Sequence, residues 1–169
     1  PMPRFAAVLA LVCLAALVGC GGEASLDQSI DALQTSFNAK DFEAVVAAAG
    51  PLLERVQAEG GDASKAFRVE KLRLSAIARQ GQGDLATEHL ERLAGAYGAQ
   101  VNAKLYNQVG SYVEEAGNLL EAVSVYDAGS KRFPANADDF KPRIEQLKEK
   151  ATAAGDPETI ARLKSLGYL

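Results

Sequence analysis

Apolar residues recur at every third or fourth position along most of the chain, from Leu26 to the C-terminus. Leu26, Ile30, Leu33 and Phe37 begin the pattern, and this spacing places apolar side chains on one face of a helix. No segment alternates apolar and polar residues as a half-buried strand would. The sequence therefore predicts an all-α protein.

Polar breaks divide this pattern into eight expected helices. The first begins at Leu26 and the second near Asp41, and Pro51 falls within the second, where we expect a kink or a break. Asp62 or Ser64 is the expected N-cap of the third helix. From the third onward, the helices are expected at about 64–80, 84–97, 101–116, 119–132, 139–153 and 157–166.

Short turns would join these helices into four hairpins. The turns are expected at "KDF" (40–42), "GQGD" (81–84), "GN" (117–118) and "GDP" (155–157). The hairpins then repeat every 43, 34 and 38 residues, counted from one residue in each turn: Lys40, Gly83, Gly117 and Gly155. A recurring period in this range is typical of an array of helical hairpins.

One segment, "LYNQVGSYVEEAGNLLEAVSVYDAGSKRFPAN" (105–136), resembles a tetratricopeptide repeat. That family has, in order, a large residue, a small residue, a turn glycine, an alanine, an aromatic residue and a proline. Here these positions are Tyr106, Gly110, Gly117, Ala122, Tyr126 and Pro134. The resemblance implies a right-handed α-solenoid of about four hairpins over residues 26–169. Gly110 would let the two helices approach closely, and Tyr126 would fill space against the neighbouring hairpin.

The second hairpin fits this repeat less well. With Gly81 as the turn glycine, Ala86 takes the alanine position of the second helix. Ala76, taken as the small residue of the first helix, is two residues out of step, which predicts an insertion in the turn. Gly129 is a further departure, since the family usually has alanine there. The first and last hairpins keep little beyond their turns.

The N-terminal segment has the composition of a signal peptide. Arg4 precedes an apolar run from Phe5 to Val18, which is too short to span a bilayer, since that needs about 20 residues. "LVGC" (17–20) then resembles the lipobox of bacterial lipoproteins. The resemblance implies that residues 1–19 are removed, that Cys20 carries a lipid, and that residues 20–25 form a flexible tether. Cys13, the other cysteine, would be discarded, so no disulfide is expected.

By the same resemblance, the absence of Asp after Cys20 favours the outer membrane of the bacterial envelope, on its periplasmic face. Nucleic acid is not an expected partner, because the net charge is −4 and phosphates require clustered Lys and Arg. His89 is the only histidine and has no neighbouring nucleophile or well-oriented carboxylate. No metal-binding spacing such as HExxH occurs. We therefore expect no enzyme activity, no cofactor and no metal.

Tetratricopeptide arrays bind partners on a concave face lined by the first helix of each hairpin. The resemblance places Lys104, Asn107, Ser111 and Glu114 on that face. In the preceding hairpin it places Glu70, Arg73 and Ile77 there. A groove of mixed charge fits a protein or peptide better than a uniformly charged polymer.

The expected function is that of a membrane-anchored adaptor or scaffold, which mediates protein–protein interaction in the bacterial envelope without catalysis. The alternative is a lipoprotein that binds a small ligand, a peptide or a glycan in the same groove. An aromatic-lined pocket would favour that alternative.

Overall fold

The computed structural model describes residues 24–169, and within them the regular secondary structure is entirely helical. Eight α-helices pack against one another. They are α1 (Leu26–Asn38), α2 (Phe42–Ala58), α3 (Ala63–Arg79), α4 (Gly83–Tyr97), α5 (Ala103–Glu115), α6 (Leu119–Arg132), α7 (Ala137–Ala154) and α8 (Pro157–Ser165). The all-α prediction is confirmed for this part of the chain. The predicted signal peptide and Cys20 lie outside the described residues.

Polar side chains begin several helices where the sequence predicted them. Asp62, and not Ser64, is the N-cap of α3, and its carboxylate accepts hydrogen bonds from the backbone N–H groups of Ser64 and Lys65. Asp156 caps α8 in the same way, and Pro157 occupies the first turn. These carboxylates satisfy N–H groups that have no partner inside the helix.

Pro51 does not break α2, which continues from Phe42 to Ala58. A proline leaves the carbonyl four residues earlier without its helical hydrogen bond. That carbonyl belongs to Ala47, and both Ala47 and Pro51 are exposed. Water can therefore hydrate the freed carbonyl, so the break expected at this position does not occur.

The four hairpin turns share one backbone geometry. Each contains a residue with positive φ two positions after the end of the helix: Lys40, Gly81, Gly117 and Gly155. In the third turn, Gly117 N–H bonds to the Glu114 carbonyl and Asn118 N–H to the Val113 carbonyl, at 2.9 and 3.2 Å. The other three turns repeat these two bonds, which define the Schellman motif.

The second turn contains no insertion, contrary to the sequence prediction. Gly81, with φ of 75°, is the turn residue, and α4 begins two positions later, as α6 does after Gly117. The hairpins therefore repeat every 41, 36 and 38 residues. Gly83 lies inside α4, and a Cβ there would approach Glu121 Cβ of α6 to 2.5 Å. This glycine allows two helices to meet closely and does not form the turn.

Close contacts at two other glycines fix the packing of the third hairpin. A Cβ on Gly110 of α5 would lie 2.4 Å from the Tyr126 ring of α6, within the same hairpin. A Cβ on Gly129 would lie 2.5 Å from the ring of Phe140 in α7. The departure from alanine at position 129 is therefore explained by the bulk of Phe140.

The helices pack in chain order. Each helix contacts the next one, and α1, α3, α5 and α7 also form a row in which neighbours touch, as do α4, α6 and α8. Within residues 24–169, no two helices more than two places apart in this order pack extensively. The apolar core consists of two clusters, and α3 contributes to both: one joins it to α1 and α2, the other to α4–α8.

Candidate partner-binding surface

Three of the predicted binding residues lie on one side of α5. Lys104 is exposed, whereas Asn107 and Ser111 are half-buried, and their spacing of three and four residues keeps them on one helix face. The Ser111 hydroxyl donates to Glu115 at 3.2 Å. The amide oxygen of Asn107 is buried and has no hydrogen-bond partner within the described chain.

Glu114, the fourth predicted residue on α5, is engaged by its own scaffold. Its side chain is only 9% exposed. One carboxylate oxygen accepts a hydrogen bond from the Tyr126 hydroxyl of α6 at 3.2 Å, and the other pairs with Lys150 of α7. Glu114 therefore ties three helices together at the edge of this surface.

The residues predicted on α3 are less accessible than expected. Glu70 and Ile77 are 5% and 2% exposed, and Arg73 is half-buried with an Nε that has no partner among the described residues. The cause is the misplaced turn: with Gly81 and Gly117 equivalent, the two hairpins are offset by 36 residues. The α3 residues equivalent to those predicted on α5 are Arg68, Lys71, Ser75 and Ala78.

A small cleft joins α3 to the start of α5. Lys71 and Lys104 line it together with Phe67 and Gln108, and its volume is about 150 Å³. Neither lysine forms an ion pair with a residue in the described part of the chain. Two free ammonium groups beside amide side chains suit a polar or acidic segment of a partner. The sequence analysis found Lys104 but missed Lys71, which the correct position of the turn would have indicated.

The other end of this surface is held by Arg79 of α3. Its guanidinium carbon lies 3.8 Å from the centre of the Tyr112 ring of α5, a cation–π arrangement. The same guanidinium pairs with Glu115. These contacts fix α3 against α5, so the surface between the cleft and Arg79 is part of a packed helix pair.

A buried ionic cluster lies behind the surface, inside the second hairpin. Glu70 of α3 lies 2.9 Å from His89 Nε2 and accepts hydrogen bonds from Arg92 at 3.0 and 3.2 Å, both from α4. Burial raises the pKa of Glu70, but the hydrogen bonds from His89 and Arg92 outweigh it and lower the pKa to about 2. Glu70 occupies the position equivalent to Tyr106, so an ionic contact here replaces an aromatic one.

Other observations limit the chemistry and the relatives that can be invoked. Within residues 24–169, no group of three or more His, Cys, Asp or Glu side chains is placed to hold a metal ion. None of the helices described is both long and apolar enough to cross a membrane. No protein family, curated protein or solved structure matches the chain. The functional argument therefore depends on the geometry above.

Proposed function

We propose that this chain is a lipid-anchored, tetratricopeptide-like adaptor of the bacterial envelope. It binds a protein partner on the surface formed by α3 and α5 and performs no chemistry. The observation that carries the proposal is the repeated hairpin, in which four turns of the same geometry recur at 41, 36 and 38 residues. Such an array is typically a scaffold that presents a long binding surface.

Contacts between hairpins support a solenoid. Lys65 pairs with Asp27 at 2.9 Å, and the Asn118 side chain donates to the Gly81 carbonyl at 3.0 Å. These partners are separated by 38 and 37 positions, so each contact spans one repeat. Because extensive packing reaches no further than two helices along the chain, the array has the nearest-neighbour construction of repeat proteins.

The shape of the α3–α5 surface favours a protein segment over a small ligand. The cleft beside Lys71 and Lys104 has a volume of about 150 Å³ and polar walls. Small-molecule sites are typically enclosed, mostly apolar and about 300–1,000 Å³ in volume. An extended or helical segment of a partner needs only a shallow groove with charged groups along it.

Replacing Lys104 with glutamate should weaken capture of the partner by about tenfold, because reversing the charge repels the acidic groups that Lys71 and Lys104 attract. The measurement is quantitative affinity capture from detergent-solubilised bacterial membranes, using the full chain. Lys164→Glu is the matched control, since Lys164 is an exposed lysine on α8, away from α3 and α5. Equal capture by both variants would contradict the proposed surface. No captured protein, together with a higher melting temperature in a sugar or peptide, would favour the ligand-binding alternative.

The proposed anchor is tested at Cys20. Cys20→Ser removes the sulfur that would receive the lipid, so we expect the protein to stay unprocessed and to lack the acyl chains. Intact-mass spectrometry and phase partition of the wild-type and Cys20→Ser chains give the answer, with Cys13→Ser as the matched control. If Cys20→Ser is still cleaved and still carries a lipid, the anchor is assigned to the wrong residue.

A further inference from the structure

A groove runs along the first hairpin between α1 and α2. Its volume is about 630 Å³, and its floor is formed by the buried Leu33 and Leu52. Its walls include Ala32, Ala48 and Pro51, which are exposed. The groove is therefore an apolar trough on the surface of two adjacent helices.

This groove lies at the N-terminal end of the array. The first hairpin packs through α2 and α1 against α3, and no described helix precedes it. Terminal repeats normally present a polar outer face, because no further repeat covers them. The opposite end of the array is closed by α8 and by Tyr168, whose hydroxyl donates to Asp127 at 3.0 Å. The first hairpin has no such cover from the described residues.

The chain enters the first hairpin at one end of this groove. Arg55 and Ser29 line that end, and Arg55 donates to the Ser29 hydroxyl at 3.1 Å and to the Ala24 carbonyl at 2.9 Å. Cys20 is four residues before Ala24, and four extended residues span at most about 14 Å. From Ser29 to Ser36, the groove follows α1 for about 10 Å. A group on Cys20 can therefore reach the trough.

We propose that one acyl chain of the lipid on Cys20 lies in the groove between α1 and α2. This inference rests on the proposed lipid anchor. The trough matches an acyl chain in two respects: it is long and narrow, and its floor and most of its walls are apolar. It holds one chain, so the others stay in the bilayer, and two acyl chains are enough for a stable anchor. The bound chain holds the first hairpin against the membrane, where a free tether would let the array swing.

The test uses a palmitate analogue with a diazirine midway along its chain, which cells incorporate into the lipid of the full-length protein. After irradiation of isolated membranes, peptide mapping by mass spectrometry should find adducts on α1 and α2, around Leu33 and Ala48. Ala48→Glu should reduce these adducts by roughly fivefold or more, because a carboxylate on the wall must be desolvated against the chain. Ala58→Glu is the control, since Ala58 is also exposed on α2 but does not line the groove.

The outcomes separate this inference from the proposed anchor. A lipidated Cys20 whose diazirine labels only phospholipid, or labels Ala48→Glu as strongly as the wild type, overturns the groove assignment and leaves the anchor standing. Covalent dimers joined through α1 and α2 would show that a second copy occupies the groove, and would also overturn it. An intact mass without lipid on Cys20 overturns both. The melting temperature of Ala48→Glu must equal that of Ala58→Glu, which separates the loss of adducts from unfolding.

Discussion

Gly110→Leu is expected to lower the free energy of unfolding by about 4 kcal/mol or more. A Cβ at this position would lie 2.4 Å from the Tyr126 ring, and the ring is fully buried, so it has no space to move into. Turning the ring away would also break its hydrogen bond to Glu114. Gly95→Leu is the control, because a Cβ at Gly95 of α4 meets nothing within 4 Å and glycine is a weak helix former.

The second hairpin supplies the compensating pair. Leu74 and Leu90 stand at the same distances from Gly81 as Gly110 and Tyr126 from Gly117, and both leucines are fully buried. Tyr126→Leu alone should cost about 2–4 kcal/mol through the cavity it leaves. The double variant Gly110→Leu/Tyr126→Leu should recover about 2 kcal/mol relative to the sum of the single changes.

Urea denaturation of the four members of this cycle measures the coupling. If Gly110→Leu is as stable as Gly95→Leu, the close contact between α5 and α6 is wrong. If the single changes are additive in the double variant, the equivalence of the two hairpins is wrong.

Glu70→Ala is expected to destabilise the protein by about 3 kcal/mol, because it leaves buried His89 and the Arg92 guanidinium without their acceptor. Glu88→Ala is the matched control on α4, since Glu88 is exposed, and it should change stability by less than about 0.5 kcal/mol. Equal effects of the two changes in thermal and urea unfolding would contradict the stabilising role of the cluster.

The same carboxylate predicts a dependence of stability on pH. The pKa of Glu70 falls from 4.5 to about 2 on folding, so the unfolded chain binds its proton first as the pH drops. The resulting stabilisation is fully present above pH 4.5 and is lost as the pH falls towards 2, on the order of 3 kcal/mol in all. Glu70→Gln should lose less stability than the wild type over this window. Parallel curves would contradict the assigned pairing.

Much of the fold could be predicted from the sequence because it depends on local patterns. Apolar spacing and capping residues such as Asp62 and Asp156 determine where helices lie, and both act within a few positions of the chain. The second turn was misplaced because "GQGD" contains two glycines, and only the backbone shows that Gly81 has positive φ while Gly83 packs against α6. Continuity of α2 through Pro51 depended on exposure, which apolar spacing does not report.

The binding surface could be predicted only in part. On α5, three of the four residues reach the surface, because a well-matched repeat fixed which way they face. On α3, the misplaced turn shifted the prediction by two residues and selected Glu70, whose partners His89 and Arg92 lie 19 and 22 positions away. A charged residue normally indicates a solvated position, so pairing over that distance hides its burial from any local pattern.

Site-specific photo-crosslinking tests the adaptor proposal most directly. A benzoylphenylalanine at Ser111, on the face of α5 that carries Lys104, is compared in intact cells with one at Glu158, an exposed residue on α8. We predict one discrete protein adduct from Ser111, weakened by Lys104→Glu, and none from Glu158. The absence of any protein adduct at Ser111, or the same adducts from both positions, would contradict a protein-binding surface on α3 and α5.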